Sequence, residues 1–393
     1  MKYNFDEVID RKNTDSMKWS ASYLERHFGS ADCVPLWVAD MDFRTAQPVI
    51  DAVTERAGHG IYGYALAGDE FYEAVIKWQK RRNGWEVKKE WIVFSPGVVP
   101  ALWHIVRTFC SPGEKVILQS PVYYPFYKVI EDNGCQVINN RLINNGGRYE
   151  MNFDELEKQA ADGSVRMMIL CSPHNPVSRV WSREELQALL DLLDRYGVPL
   201  ASDEIHADFV YAPNTFVPVL SLKRENVLSL CAASKTFNLA GLQQASCLCG
   251  DTAIREAFRR EMNKAGVRSG NIFALEATRA AYEQGDAWLD GLLRYLDGSR
   301  VLLAELVRRH LPRAVLSPMD GTYLGWLDLR AYGYTTEELM ERTTRAGVRF
   351  TGGTFFGEKT GEGFLRINIG CPRRYLEEGV LRLRVALEKG DED

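Results

Sequence analysis

Between residues 90 and 285, short apolar runs alternate with longer segments of helical periodicity. The runs "EWIVFSPG" and "EKVILQSP" each end in Gly, Pro or Ser, and the segment "REELQALLDLLDRYG" repeats apolar residues at i, i+3 and i+4. Strands that alternate with helices in this way are typical of a mainly parallel sheet covered on both faces. The alternation therefore predicts an α/β domain.

The sequence pattern changes near residue 286. A long helical segment, "AWLDGLLRYLDGSRVLLAELVRRHL", precedes the alternating strand "GTYLGWLDL", the helix "TTEELMERTTRAG" and the strand "GFLRINIG". These elements predict a second, smaller α+β domain, which the N-terminal segment joins. We assign residues 46–286 to the large domain and residues 1–45 and 287–393 to the small domain.

Composition restricts the classes of partner. The 393 residues are 46% hydrophobic, which is ample for a buried core, and 48 basic and 53 acidic residues give a net charge of -5. No basic stripe for nucleic acid is present, and no run reaches the roughly 18 apolar residues of a membrane span. The start, "MKYNFDEVIDRKNTDS", has no apolar signal region. We expect a cytoplasmic protein with small-molecule and protein partners, and neither a nucleic-acid nor a membrane partner.

The chain has eight cysteines and no CxxC pair. Several of these cysteines lie within apolar strands, as in "MMILCSP" and "ASCLCG". This placement predicts reduced core thiols, and we expect no metal site.

Five predicted strands end in polar residues or in residues with special backbone requirements. The carboxyl ends of parallel strands are where such sheets bind ligands, so these segments are expected to meet. The segments are "SPG" (95–97), "SPVYYP" (120–125), "SPHNP" (172–176), "SDEIH" (202–206) and "ASK" (233–235). Together they supply aromatic rings, an amide, a carboxylate and an amine.

Lys235 lies in "CAASKTFNLAG", on a predicted loop between two buried strands. A charged lysine at this position is costly, so either its side chain extends to water or its amine has a chemical task. A lysine amine forms a Schiff base with an aldehyde cofactor, and the pyridine nitrogen of pyridoxal phosphate needs an acidic partner. The strand ends supply both groups.

Six motifs occur in one order along the chain: "LWVADMDF", "YGY", "SPHNPVSRVW", "SDEIH", "SKTFNLAGL" and "GTYLGWLDL...GEGFLRINIGCPR". In this set the sequence resembles fold type I pyridoxal-phosphate enzymes of the aminotransferase superfamily, within the cystathionine β-lyase-like C–S lyase branch. The resemblance runs from about residue 3 to residue 388. It implies an aspartate aminotransferase-like fold, in which the large domain holds a mainly parallel sheet of the seven-stranded type between helices.

The resemblance assigns roles to three residues of the large domain. Lys235 corresponds to the Schiff-base lysine, which also moves the Cα proton, and Asp203 to the carboxylate against the pyridine nitrogen. Asn175 corresponds to the amide that hydrogen-bonds the 3'-oxygen of the cofactor and helps to hold the substrate. Judged on the residues alone, Lys235 could be a solvated lysine, Asp203 a helix cap and Asn175 a plain turn residue.

Three further residues receive roles in the same way. Tyr123 is implied to stack on the cofactor ring as part of the catalytic set, and His206 to support the cofactor indirectly. Arg366, on the alternating strand "GFLRINIG", is implied to hold the substrate carboxylate. A surface salt bridge is the alternative for Arg366, and a lone histidine such as His206 is more often structural. Tyr124 would face away from Tyr123 if the segment were extended, and would then be a packing residue.

The phosphate is expected at a strand-to-helix junction. The backbone N–H groups of Gly97, Val98 and Val99 lie there, where a helix dipole also favours an anion. Ser234 and Tyr64 are the implied side-chain partners, and Tyr64 would come from a second subunit. That assignment implies a homodimer with shared active sites; an ordinary interface or core tyrosine is the alternative for Tyr64.

The sequence departs from the commoner aminotransferase pattern at three positions. Gln243 stands eight residues after the lysine, where many aminotransferases place an arginine for the phosphate. Ala232 replaces a frequent hydroxyl three residues before the lysine, and Ser178 replaces the usual Gly after "NPV". Phosphate binding must therefore depend more on the backbone, Ser234 and Tyr64.

The reaction implied by the resemblance is pyridoxal-phosphate-dependent β-elimination. Cystathionine or another S-substituted cysteine would lose a thiol from Cβ and give pyruvate and ammonia. Two alternatives stay open. An aminotransferase would share every cofactor residue, and a regulator-binding protein with a secondary lyase activity belongs to another functional class.

Overall fold

A computed structural model describes residues 3–388 and contains fifteen β-strands within that range. The strands are β1 (Val34–Pro35), β2 (Ile92–Ser95), β3 (Lys115–Leu118), β4 (Gln136–Asn139), β5 (Ile143–Asn145), β6 (Arg148–Glu150), β7 (Val165–Cys171), β8 (Leu200–Asp203), β9 (Val227–Cys231), β10 (Ala245–Leu248), β11 (Val315–Leu316), β12 (Leu324–Asp328), β13 (Val348–Arg349), β14 (Thr351–Gly352) and β15 (Phe364–Asn368).

Fourteen α-helices lie among these strands in the same described range. The helices are α1 (Ala21–Phe28), α2 (Gln47–Gly58), α3 (Asp69–Asn83), α4 (Val98–Phe109), α5 (Pro125–Glu131), α6 (Phe153–Ala160), α7 (Arg183–Arg195), α8 (Val219–Leu222), α9 (Ala233–Thr236), α10 (Thr252–Lys264), α11 (Ile272–Gln284), α12 (Asp286–His310), α13 (Thr336–Arg345) and α14 (Arg373–Glu388). No helix within residues 3–388 combines the length and apolar character that crossing a membrane requires.

The central sheet has seven strands in the order β2-β10-β9-β8-β7-β3-β4. Its strands from β9 to β4 run parallel, whereas β10 is antiparallel to both β9 and β2. The predicted mainly parallel sheet between helices is therefore confirmed. Because β2, β3, β7, β8 and β9 point the same way, their carboxyl ends lie along one edge, and the five predicted segments follow those ends.

Strand β7 shows why the central strands are apolar throughout. Met167 and Ile169 belong to the apolar cluster on one face of the sheet, and Met168 and Leu170 to the cluster on the other face. Successive side chains of a strand point to opposite faces, so a sheet covered on both sides needs apolar residues at every position. The run "RMMILC" thus indicates a buried central strand.

The smaller elements assemble around a second sheet in the order β11-β12-β15-β14, which is antiparallel. The N-terminal segment joins this part of the chain through β1, which pairs in parallel with β13. The limits 46–286 for the large domain and 1–45 plus 287–393 for the small domain stay a prediction. Of the latter ranges, residues 1–2 and 389–393 lie outside the described residues.

Local sequence signals set several helix starts. Helix α7 begins with a capping box, in which Ser182 accepts from the Glu185 N–H and the Glu185 carboxylate accepts from the Ser182 N–H. Thr335 and Glu338 form the same motif at the start of α13.

All eight cysteines are free thiols, and six of them are buried. Burial raises the pKa of most of these thiols, as for Cys249, whose pKa rises to about 12. The cysteines therefore act as packing residues in this fold.

Candidate active site

A cavity of 190 Å³ opens at the carboxyl edge of the seven-stranded sheet. Every predicted site residue except Arg366 and Tyr64 lines it: Gly97, Val98, Val99, Tyr123, Asn175, Asp203, His206, Ser234 and Lys235. Larger clefts of 900 and 490 Å³ lie elsewhere, but neither combines a buried amine with a buried carboxylate. The chemistry-bearing strand ends thus meet at one place.

Lys235 lies on α9, a single helical turn directly after β9, and not on the open loop that the sequence predicts. Its Nζ donates to the carbonyl oxygen of Ala39 at 2.7 Å. Burial lowers the pKa of Lys235 to about 8, and the Arg366 charge acts in the same direction, while the charges of Asp40 and Asp203 oppose both. The amine therefore lines the cavity with a proton that it holds less tightly than an ordinary lysine does.

Asp203 is the last residue of β8, and only 3% of it is exposed. Its Oδ1 accepts from the Ile205 N–H at 3.1 Å, so the carboxylate stabilises a turn and does not cap a helix. Burial raises the pKa of Asp203 to about 7, although this N–H and the Lys235 charge oppose the rise. A cationic group placed against it would favour the ionised form.

Arg366 lies on β15 and is buried, which rules out the surface salt bridge that the sequence left open. Its guanidinium donates to Asn175 Oδ1 at 3.2 Å, to the Trp37 carbonyl at 2.8 Å and to Thr351 Oγ1 at 3.3 Å. Burial lowers the pKa of Arg366 to about 10, so it stays charged at neutral pH. An amide, a carbonyl and a hydroxyl surround this cation, which leaves its charge available to an anion.

Tyr123 and Tyr124 precede α5. Tyr123 lines the cavity, and burial raises the pKa of its phenol above the ordinary value, so the ring stays neutral. Tyr124 is half exposed and takes the helical N-cap position of α5, so the extended backbone considered for it is wrong. Its ring contacts that of Tyr123, with centroids 5.3 Å apart.

The start of α4 is open to the cavity. Val98 is the first residue of the helix and Gly97 precedes it, and no side chain caps the N–H groups there. Ser234 and Gln243 line the same cavity. Free helical N–H groups and the helix dipole make this junction suitable for an anion.

His206 is buried, and its Nδ1 has no hydrogen-bond partner within the described residues. Burial lowers the pKa of His206 to about 3, and the charges of Lys235 and Arg366 act in the same direction. The imidazole is therefore neutral at physiological pH. Its ring packs edge-on against Tyr323, with centroids 5.7 Å apart.

Tyr64 does not line the cavity of its own chain. It lies on the connection between α2 and α3 with its side chain fully exposed, near the exposed residues Ile61, Tyr62 and Leu66. A role for Tyr64 in a partner's site stays a prediction.

Sequence reasoning missed the backbone that covers Lys235 and Arg366. The carbonyl of Ala39 accepts from Lys235 and also from the Tyr323 hydroxyl at 3.0 Å, and the carbonyl of Trp37 accepts from Arg366. The motif "LWVADMDF" identified this segment only as part of a family pattern. Backbone carbonyls carry no residue-specific signal, so nothing in the sequence could have indicated these contacts.

Three comparisons with known proteins bear on the chain as a whole. The family model for aminotransferase class I and II matches residues 31–383. Cystathionine beta-lyase PatB from Bacillus subtilis is 40% identical over 388 residues, which cover 98% of this chain and 100% of that protein.

Two solved structures extend the likeness to the fold. Cystalysin from Treponema denticola, which contains a pyridoxal 5'-phosphate cofactor, is 32% identical, covers 99% of each chain and has a TM-score of 0.95. The pyridoxal-phosphate-bound C–S lyase from Staphylococcus hominis is also 32% identical, covers 99% of each chain and has a TM-score of 0.92. The architecture is the aspartate aminotransferase-like fold type I, and the chain belongs to the aminotransferase class I and II family.

Proposed function

We propose that the chain binds pyridoxal 5'-phosphate in the 190 Å³ cavity and catalyses β-elimination from S-substituted cysteines. The observation that carries the proposal is the convergence of Lys235, Asp203 and the Asn175–Arg366 pair on this one place. Relatives named cystathionine beta-lyase and C–S lyase support the reaction type.

The residues around the cavity fit this cofactor. Lys235 supplies an amine for the aldehyde, and buried Asp203 gains from a cationic ring nitrogen because its pKa is raised to about 7 without one. The uncapped start of α4 offers N–H groups to a phosphate. The unpartnered Nδ1 of His206 adds a buried polar atom that still needs a partner.

Once bound, the cofactor withdraws electrons from the substrate Cα, so that the Cα–H bond is acidified and a leaving group on Cβ can depart. Lys235 takes the Cα proton, which suits an amine whose pKa is about 8. Arg366 and Asn175 bind and orient the substrate carboxylate. Tyr123, which lines the cavity, would pack against the cofactor ring.

The required substrate carries a thiolate leaving group on Cβ. Cystathionine would release homocysteine, and the remaining three-carbon fragment hydrolyses to pyruvate and ammonia. Other S-substituted cysteines meet the same chemical requirement. An aminotransferase would use the same cofactor residues and differ only in keeping the amino group on the cofactor, and it is the second candidate because the matching family model is named for aminotransferases.

A homodimer with shared active sites is part of the proposal. Ile61, Tyr62, Tyr64 and Leu66 form a run of exposed apolar residues that a second subunit would cover. In that arrangement Tyr64 would reach the phosphate of the partner. Eight free thiols are typical of a reducing compartment, which supports the cytoplasm as the location.

Purified protein supplied with cystathionine tests the reaction. We expect stoichiometric pyruvate and thiol when no keto acid is added. Transfer of the amino group to an added keto acid, with neither pyruvate nor thiol released, would establish the aminotransferase instead. Retention of the visible cofactor absorbance after Lys235→Ala would contradict the site itself.

A further inference from the structure

Residues 37–41 form a stretch of backbone, here called the strap, that lies across the cavity side of the sheet. Each of its five successive carbonyl oxygens accepts a hydrogen bond from a side chain. The donors are Arg366 and Thr351 to Trp37, Asn368 to Val38, Lys235 and Tyr323 to Ala39, Asn368 and Lys18 to Asp40, and Asn238 and Arg11 to Met41. Among residues 3–388, the hydrogen-bond partners of the strap backbone are thus side chains, and two of those side chains are the proposed catalytic lysine and substrate-binding arginine.

Four charged residues form a cluster at the far end of the strap. No part of the Lys18 side chain is exposed, and its Nζ lies 2.7 Å from Asp42 Oδ2 and 3.7 Å from Asp40 Oδ1. Arg11 completes the cluster at 2.5 Å from Asp42 Oδ1 and 2.6 Å from Asp40 Oδ2, and the Trp19 indole N–H donates to Asp42 Oδ1 at 2.8 Å. Arg11, Lys18, Asp40 and Asp42 are called the N-terminal charge cluster below.

Burying a lysine in such a cluster is costly for stability, because desolvation offsets much of the Coulomb attraction. Burial opposes the charge of Lys18, yet the charges of Asp42 and Asp40 outweigh it and raise the pKa of its ammonium. The charged form is therefore kept, and its geometry is determined by two carboxylates and the Asp40 carbonyl. A buried ion pair that adds little stability can still select one arrangement of the chain.

The arrangement selected here is that of the strap. The Ala39 carbonyl, which contacts the Lys235 amine, belongs to the peptide bond between Ala39 and Asp40, so the residue held in the N-terminal charge cluster is the immediate neighbour of that contact. Charge at Asp40 also acts on the amine itself. The titratable and charged groups around Lys235 come from several elements: Asp40, Asp203, Arg366, Tyr123, Tyr323 and neutral His206.

We infer that Lys18 is a positioning residue, which holds Asp40 and Asp42 from within the N-terminal segment and so keeps the strap in place against Lys235 and Arg366. The inference rests on the proposed function, because it concerns how those two residues are presented to cofactor and substrate. It gives residues 3–20 a part in the active site, although none of these residues lines the cavity.

Lys18→Met removes the positive charge at nearly unchanged side-chain length. The carboxylate of Asp40, which then keeps Arg11 as its cationic partner but loses Lys18, favours a proton on the Lys235 nitrogen, so the pH midpoint of the cofactor absorbance rises by up to about one unit. Asp40→Asn shifts that midpoint in the opposite direction. A loosened strap also presents Arg366 less well, and KM for the amino acid rises about tenfold.

The inference is tested by measuring two quantities on cofactor-loaded protein: the pH midpoint of the cofactor absorbance and KM for the amino acid. Lys115→Met is the matched control, because Lys115 pairs with Asp162 at the same 2.7 Å but lies at the amino end of β3, away from the cavity. It is expected to leave both quantities unchanged. Lys18→Arg restores the charge and is expected to return the midpoint toward that of the wild type.

Arg11→Gln covers the case in which Lys18→Met does not fold. The Arg11 side chain is 20% exposed, so this substitution weakens the N-terminal charge cluster without placing a changed side chain in the core. An unchanged midpoint and an unchanged KM in this variant, with only its unfolding temperature lowered, would overturn the inference. Failure of the proposed function is distinguishable, because wild-type protein would then show no Lys235-dependent absorbance at all.

Discussion

The two walls of the cavity carry their charges in different ways. On the large-sheet wall, Lys235 and Asp203 have pKa values of about 8 and about 7, because burial favours the uncharged form of each group. Behind the opposite wall, Arg366 does not line the cavity itself but bonds Asn175, which does, and it keeps its charge among neutral acceptors. One wall can exchange protons near physiological pH and the other cannot.

The two sides of the cavity are therefore suited to different tasks. Groups that titrate near the working pH are suited to acid–base steps, whereas a permanent planar cation is suited to holding a carboxylate. Variants of the large-sheet wall should therefore affect turnover, and variants of the opposite wall should affect substrate binding. The following predictions test that division, beginning with the largest effect.

Lys235→Ala should abolish β-elimination, with a loss in kcat on the order of 10³-fold or more, because it removes the group that takes the Cα proton. Pyruvate release from cystathionine measures the loss, and the visible absorbance of the cofactor should change at the same time. Lys115→Ala, remote from the cavity, serves as the control and should retain wild-type turnover. A variant that keeps its turnover would contradict the role of the lysine.

Arg366→Lys should raise KM for the amino acid by about 10²-fold with a smaller effect on kcat, because an ammonium lacks the fork that binds a carboxylate at two points. Steady-state kinetics with cystathionine separates the two parameters. Arg349→Lys is a matched control, since Arg349 is also buried but stacks on Phe28 and contacts Thr344. A loss confined to kcat would break the division between the walls.

Asp203 should make the cofactor-free protein less stable as pH rises. The folded-state pKa of about 7 exceeds the ordinary value of 3.8, so the folded state binds more protons between those pH values. Its free energy of unfolding then falls as pH rises through this range, by up to a few kcal/mol. Asp203→Asn should flatten that dependence in urea titrations at several pH values.

Glu204→Gln provides the control for this pH effect. Glu204 is also buried with its pKa raised to about 7, but it bonds Ser229 and the Val219 N–H and does not line the cavity. Both variants should flatten the dependence without cofactor. Bound cofactor should remove the contribution of Asp203 to the pH dependence of unfolding and leave the contribution of Glu204. If the cofactor removed both contributions equally, the pairing of Asp203 with the ring nitrogen would be refuted.

Tyr64→Phe should have the smallest effect, a few-fold weaker retention of the cofactor, since one hydroxyl contact to the phosphate is lost. Dialysis against cofactor-free buffer followed by absorbance measures it. Mixed dimers of Tyr64→Phe with Lys235→Ala protein should contain one site that carries neither substitution. Wild-type retention in the pure Tyr64→Phe protein would remove Tyr64 from the phosphate site.

Much of the large-sheet wall could be predicted from sequence because its residues follow strands at fixed positions. Lys235, Asp203 and Asn175 each come within four residues of a strand's end, and parallel strands bring such ends together. The helical turn at Lys235 and the N-cap role of Tyr124 were not predicted. Both depend on a few backbone angles that local propensity does not determine.

The sequence alone was enough to predict the α/β layering, the family and the candidate site residues that follow strands of the central sheet. Its apolar periodicity and strand-end chemistry are local properties, readable from neighbouring residues. The burial of Arg366 beside Asn175, the contact of the Ala39 carbonyl with Lys235 and the full burial of Lys18 between two carboxylates became visible in the folded chain alone. These contacts join residues far apart in the chain, partly through backbone atoms that every residue type shares, so packing alone specifies them.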